Sequence, residues 1–126
     1  MSRLYAAPLT VMAITTGSPA NVDIFEIVAG STKRTILHAF SITSEYTTDE
    51  RASLQLLRRS STGTTGTAVT EVPMDEANTI AINAAVSKNV GLPGTAGAIL
   101  KDWSWSQQGE LLYLPTPELR PVSRAS

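Results

Sequence analysis

The chain has 126 residues, with ten Lys and Arg, eleven Asp and Glu, one His and no Cys. This length suits one domain with one hydrophobic core, and an apolar content of 42% is too high for a disordered chain. A net charge of -1 without a basic block excludes an electrostatic nucleic-acid interface. The lack of Cys excludes disulfide scaffolds, thiol catalysis and Cys-based zinc sites.

The polar residues are mainly hydroxyl residues, since the chain has 13 Ser and 16 Thr. Its charged residues make up only 17% of the sequence. A typical soluble domain has a charged fraction of roughly 25%. This composition predicts a low-charge surface that packs against other subunits.

The N-terminal residues 1–16 resemble a signal peptide only superficially. Pro8 and Thr10 interrupt the apolar stretch, and no apolar run in the chain approaches the ~18 residues of a membrane helix. We interpret 1–16 as an N-terminal strand or arm and expect no membrane partner.

Apolar and polar residues alternate with a period close to two along most of the chain, which predicts β-strands. The clearest pattern covers 33–43, where Ile36, His38, Phe40 and Ile42 share one predicted face. Helical turns fit only 48–57 and 73–77. The predicted strands are 23–28, 33–43, 52–59, 79–83 with a continuation to Val86, 98–107 and 110–114.

Three segments carry turn chemistry instead. Residues 60–67 are rich in Ser, Thr and Gly and predict a flexible hairpin tip or surface arm. Residues 90–97 form a Gly-rich crossing, and two prolines within 114–118 cannot continue a central strand. With no βαβ alternation and no internal repeat, the sequence predicts one all-β domain over 1–126, an antiparallel β-sandwich or barrel.

No candidate catalytic or metal site can be assembled from the residues. His38 has no second His or Cys beside it, so we favour a structural or interface position over a ligand role. The segment 91–97 lacks the Lys and helix of a phosphate loop. The acidic pairs 49–50 and 75–76 are interpreted as solvated loop residues, with acid catalysis or calcium binding as the weaker alternatives. We expect no enzymatic activity, no cofactor, no metal and no small-molecule substrate.

Trp103 and Trp105 stand two residues apart and therefore share one face of a strand. Paired indoles serve as core or subunit-interface anchors, or as a stacking platform for sugars. We favour the first interpretation and keep carbohydrate binding open as the alternative.

Short pieces distributed along most of the chain resemble a family of small structural proteins of tailed phages. None of the pieces is a catalytic signature. They are 23–27, 33–39, 50–58, the Ser/Thr/Gly-rich stretch from Ser60, Trp105, 108–109, 112–117, Glu118 and 120–121.

The resemblance implies a jelly-roll-like β-sandwich on the phage capsid surface, in the role of a capsid decoration (cement) protein. The implied partners are the major capsid protein and further copies of the chain, as a homotrimer or dimer. A tail, connector or fibre-head component of the virion is the alternative within the same class. Similar sequences continue beyond the Arg-Pro segment with one or two further strands, whereas this chain stops at Ser126. Either the sandwich closes with fewer strands, or a sheet edge is left open for a neighbouring subunit to cover.

The expected contact residues lie in the two loops, on the Trp strand and in the Pro-rich segment. They are Ser60, Thr62, Thr64, Thr65, Leu92, Pro93, Trp103, Trp105, Tyr113, Pro115 and Pro117.

Overall fold

A computed structural model of the chain describes residues 3–10, 23–45, 47–48 and 50–123. These residues form strands and one short 3-10 turn, Pro117–Leu119. The all-β prediction is therefore confirmed. The strands are β1 (Tyr5–Ala6), β2 (Asp23–Ala29), β3 (Thr35–Ile36), β4 (Phe40–Ile42), β5 (Arg51–Arg59), β6 (Thr67–Val69), β7 (Val72–Pro73), β8 (Ala84–Val90), β9 (Ala96–Ser106), β10 (Leu111–Tyr113) and β11 (Val122–Ser123).

The chain divides into two compact units. Unit 1 comprises Met1–Thr35, Ser61–Thr95 and Ser123–Ser126, and unit 2 comprises Ile36–Ser60 and Ala96–Val122. The assignment of both units to one domain stays a prediction. Among the described ranges, no helix is long and apolar enough to span a membrane.

Unit 1 is built on a three-stranded antiparallel sheet in the order β2-β8-β6. The central strand β8 pairs with both neighbours, and Val86 lies opposite Ile27 on one side and Val69 on the other. β-Branched residues fit such a half-buried pleated surface. In the part of the chain that the structure describes, the buried apolar side chains are Ala29, Val86 and Val90, all on this sheet. A second antiparallel pair joins β1 to β7.

Unit 2 contains two antiparallel ribbons, β5-β9 and β4-β10. Leu54 pairs with Trp103 and Ala52 with Trp105, so their half-buried side chains share one face of the longer ribbon. The register shifts after Leu56, which breaks the alternation along β9. Strict alternation would place Ile99 on the face of the tryptophans, but Ile99 lies beyond the register shift and is exposed.

The predicted strand 33–43 is wrong as one element, because it forms the two short strands β3 and β4. Between the two strands, the amide of Leu37 donates to the carbonyl of Pro121 at 3.0 Å. This backbone donor is therefore satisfied without being part of a long strand ladder. His38 is exposed, as is Ile36, so the predicted apolar face of four residues does not form. Strand β3 pairs instead with β11.

The predicted strand 79–83 is also wrong, since the strand in this region begins at Ala84. The side chain of Asn78 accepts a hydrogen bond from the amide of Ile80 at 3.1 Å. Such a local side-chain bond competes with ladder pairing. Just before it, the Asp75 carboxylate accepts from the amide of Ala77 at 3.0 Å, in a turn rather than a helix.

The remaining predicted elements differ from the structure mainly at their ends. The helical alternative for 48–57 is wrong, because β5 occupies Arg51–Arg59. Arg59, the last residue of β5, is half-buried. Of the N-terminal arm 1–16, residues 1–2 and 11–16 lie outside the described residues, as do Asp49 and Ser126.

Candidate interaction surface

The two predicted loops are brought together in unit 1. Thr64 and Leu92 form an isolated antiparallel bridge, with Thr64 N donating to Leu92 O at 2.9 Å and Leu92 N to Thr64 O at 3.4 Å. The segments 61–66 and 91–95 therefore act as one element, here called the paired loops. This corrects the prediction of a hairpin tip or free surface arm at 60–67.

Side chains hold the paired loops at both ends. The Ser61 hydroxyl accepts a hydrogen bond from the amide of Thr95 at 2.8 Å and lies 3.4 Å from the Thr95 hydroxyl. The amide of Gly63 donates to the Glu26 carboxylate on β2 at 2.9 Å, a charge-assisted bond. The Ser61–Thr95 contacts therefore join the two loops to each other, and the Gly63 bond attaches the segment 61–66 to the sheet.

The close approach of the loops requires glycine at position 94. A Cβ atom there would lie 1.8 Å from the carbonyl oxygen of Ser61, a main-chain atom that cannot rotate away. On the other side, Thr65 adopts a positive φ of 67°, which is unusual for a β-branched residue. Backbone strain at such a position is maintained only by the contacts around it.

The paired loops present both polar and apolar groups to solvent. Leu92 is 61% exposed, a high value for a large apolar side chain. Thr62, Thr64 and Thr65 are exposed, and Pro93 is half-buried. Of the predicted contact residues, these five are gathered in unit 1.

The second group of predicted residues centres on an aromatic cluster in unit 2. Trp103 on β9 meets Phe40 on β4 and Tyr113 on β10, with ring centroids 5.9 and 5.6 Å apart and rings close to perpendicular. Phe40 and Tyr113 lie 5.1 Å apart in a tilted arrangement. Edge-to-face geometry is the favoured packing of aromatic rings. The cluster joins the two ribbons of unit 2.

Trp105 is fixed differently. Its indole Nε1 donates to the carbonyl oxygen of Gly109 at 3.0 Å, and its side chain is half-buried beside Ala52. Both indoles are therefore engaged within unit 2, through ring packing in one case and a hydrogen bond in the other.

The remaining predicted contact residues are scattered. Ser60 is exposed just after β5, Pro115 is half-buried, and Pro117 is exposed at the start of the 3-10 turn. The structure does not gather these three residues into one site.

Sequence reasoning missed an exposed apolar face on unit 2. Leu112 and Leu114, two residues apart at β10, are 56% and 67% exposed, and Leu119 on the 3-10 turn is 71% exposed. Leu111 and Tyr113 point to the other side and are half-buried. A run of four apolar residues, 111–114, on a short strand was the signal available, because one side of such a strand faces outward when the other is packed.

Unit 1 carries a second set of exposed apolar side chains that sequence reasoning missed. They are Leu4, Val72, Met74 and Ile80. Met74 and Leu4 are neighbours, because Met74 N donates to Leu4 O at 2.9 Å. Ile80 also lines a cavity of about 300 Å³, whose other lining residues include Tyr5 and Glu71.

The side chains considered for catalysis and metal binding are not gathered. Among the described residues, no group of three or more His, Asp or Glu is placed to hold a metal ion. Glu50, Asp75 and Glu76 are exposed. What the described geometry offers is contact surface, polar at the paired loops and apolar at β10.

Comparisons of the chain with known protein families, with curated proteins and with solved structures find no match.

Proposed function

We propose that this protein is a non-enzymatic structural component of a tailed-phage particle, and specifically a capsid decoration protein with a jelly-roll-like sandwich. The virion role rests on the resemblance of short segments distributed along the chain. The exposed side chains of Leu112 and Leu114, which share one side of the β10 segment, are the structural observation that carries an assembly function.

Large apolar side chains exposed together favour a protein partner. Leu112, Leu114 and Leu119 are each more than half exposed. Burying an apolar side chain stabilises a contact by about 1.5–3 kcal/mol, and contiguous apolar patches on soluble proteins mark interaction sites. The low charge of the chain, 17% charged residues, lowers the desolvation cost of such a contact further.

The paired loops supply a second contact element. Their internal hydrogen bonds fix the backbone before a partner binds, so little conformational entropy remains to be lost on association. Leu92 then acts as an apolar anchor surrounded by the hydroxyls of Thr62 and Thr64. An apolar centre with a polar rim is the usual anatomy of a protein interface.

The proposed mechanism is mechanical. Copies of the protein, as a homotrimer or dimer, bind across junctions of the major capsid protein on the outer head surface. Each contact is modest, and the avidity of many copies resists the pressure of packaged DNA.

Copy number in purified particles tests this role. A decoration protein is present at one copy per major capsid subunit or at a simple fraction of that number. A handful of copies per particle identifies a tail, connector or fibre-head component instead, and absence from particles contradicts the virion role. The test is quantitative mass spectrometry of the particle proteins.

A carbohydrate-binding role ranks lower. A sugar platform needs an exposed ring face, whereas Trp103 packs against Phe40 and Tyr113 and Trp105 is half-buried.

A further inference from the structure

The N-terminal segment, residues 3–10, lies against unit 1 through a small number of specific contacts. Its strand β1 pairs with β7 over two residues, Tyr5 opposite Pro73 and Ala6 opposite Val72. Two-residue pairing contributes little by itself, so the side-chain contacts determine where this segment binds.

Tyr5 provides the first of these contacts. Its hydroxyl donates to the carbonyl of Ile80 at 2.6 Å and accepts from Asn78 Nδ2 at 3.2 Å. Its ring lines the 300 Å³ cavity, together with Pro73 and Ile80. Tyr5 is therefore positioned by two hydrogen bonds and forms part of the cavity wall.

Lys88 provides the second contact, at the other end of the segment. Its Nζ donates to the carbonyl of Leu9 and to the hydroxyl of Thr10, both at 3.0 Å. Lys88 lies on the central strand β8, between Phe25 of β2 and Thr67 of β6. These two hydrogen bonds therefore attach the segment to the central strand of the sheet in unit 1.

Thr10, whose hydroxyl accepts the second of these bonds, has a positive φ of 50°. The left-handed region is unfavourable for a β-branched residue. The chain thus carries strain at the point where the bound segment ends, and the contacts with Lys88 maintain it.

We propose that residues 3–10 exchange between copies, so that the N-terminal segment of one chain occupies the β7 and Lys88 site of another. The occupant fits because the site is already shaped for this same segment. Twelve residues separate Thr10 from Asp23 in the sequence, and a chain of that length spans up to about 40 Å. This reach is sufficient for a neighbouring copy.

Reciprocal exchange is a low-cost way to form a dimer, because it reproduces existing contacts in a symmetric arrangement. This inference deepens the self-association part of the proposed function and does not require that the assembly be a phage head.

Disulfide trapping tests the exchange. Leu4 and Met74 are adjacent and both exposed, and the chain has no Cys of its own. Opposed residues of paired strands meet the Cα separation that a disulfide needs. One chain carries Leu4→Cys and a second, differently tagged chain carries Met74→Cys. The two are co-expressed, purified and oxidised, so that a disulfide can form only between chains.

The matched control combines Leu4→Cys with Ile99→Cys, because Ile99 is 57% exposed and Met74 is 63% exposed. Exchange predicts that the Leu4–Met74 heterodimer exceeds the control heterodimer several-fold on a non-reducing gel. Equal yields of the two heterodimers overturn the proposal. Since this assay reads purified protein and the copy-number assay reads particles, the failure of one is distinguishable from the failure of the other.

Discussion

The paired loops of unit 1 and the aromatic cluster of unit 2 hold the predicted contact residues by opposite physical means. The loops are fixed by main-chain and hydroxyl hydrogen bonds, as between Thr64 and Leu92 or Ser61 and Thr95. The cluster is fixed by ring packing among Phe40, Trp103 and Tyr113. Hydrogen bonds depend on direction and ring packing on volume, so different substitutions should disrupt the two regions.

In both regions, some groups are engaged within the protein while apolar side chains beside them stay exposed. In unit 1 the backbone amides are already paired, which leaves Leu92 free to stay exposed. In unit 2 the rings occupy one side of β10, and the apolar side chains on its other side remain exposed. In each region, the bonded amides or packed rings hold the local structure, and the exposed apolar side chains are accessible to a partner.

The largest expected effect is the loss of the central ring of the aromatic cluster. Trp103→Ala removes the side chain that contacts both Phe40 and Tyr113. We expect the free energy of unfolding to fall by about 3 kcal/mol, the low end for a Trp→Ala change because the residue is half-buried. Chemical denaturation followed by circular dichroism measures this loss.

Trp103→Phe is the matched control, because it keeps an aromatic ring at the centre of the cluster. We expect it to recover more than half of the lost stability. Hydrogen exchange of the Thr64 amide, which is bonded to Leu92 O, should be little changed in the folded state of either variant. A Trp103→Ala variant as stable as the unsubstituted chain would show that the cluster does not hold the two ribbons together.

A smaller effect is expected at the close approach of the paired loops. In Gly94→Ala the new Cβ would meet the Ser61 carbonyl oxygen at 1.8 Å, so the loops must separate. Overpacking of this kind costs about 2 kcal/mol. Faster hydrogen exchange at the Thr64 amide and a lower unfolding midpoint are the expected results.

Gly91→Ala is the control within the same loop. There the nearest atom to a new Cβ is the Thr65 hydroxyl at 3.1 Å, a side-chain atom that can move slightly. We expect a change in unfolding free energy of no more than about 0.5 kcal/mol. Equal losses in the two variants would contradict the close contact at Gly94.

The sequence was sufficient to predict the strands whose pairing follows the local pattern. Alternation and β-branched residues predicted 23–28 and 52–59, which lie within β2 and β5. The prediction failed at 33–43, where the amide of Leu37 bonds to Pro121, more than 80 residues away in sequence. A local pattern contains no information on such a distant acceptor, so tertiary hydrogen bonding overrode strand propensity.

The candidate surface was predictable in its residues and not in its geometry. The segments 60–67 and 90–97 were recognised as loops from Ser, Thr, Gly and Pro, but their bridge joins residues 28 positions apart. Phe40 was placed on a strand face without being recognised as a partner of Trp103. In both cases the missing information is which distant elements approach each other, and periodicity does not carry it.

The smallest change in stability is expected on the exposed side of β10. Two neighbouring leucines, one exposed and one half-buried, allow the effect on association to be measured separately from the effect on packing. Leu112→Ser alters an exposed side chain opposite Ser41, so we expect a change in unfolding free energy within about 0.5 kcal/mol. Leu111→Ser alters the adjacent half-buried side chain opposite Ile42, and we expect a loss of about 2 kcal/mol.

For association with a partner, we expect the exposed position, Leu112, to matter more than the half-buried position, Leu111. If the outer side of β10 contacts a partner, Leu112→Ser weakens self-association or particle binding while the fold is retained. Analytical ultracentrifugation over a concentration series and sedimentation with particles that lack the protein measure the two. Unchanged association in Leu112→Ser, and again in a Leu112→Ser, Leu114→Ser double variant, would exclude this side of β10 as a contact. In that case the paired loops, with Leu92 exposed at their centre, would remain as the surface through which the protein assembles.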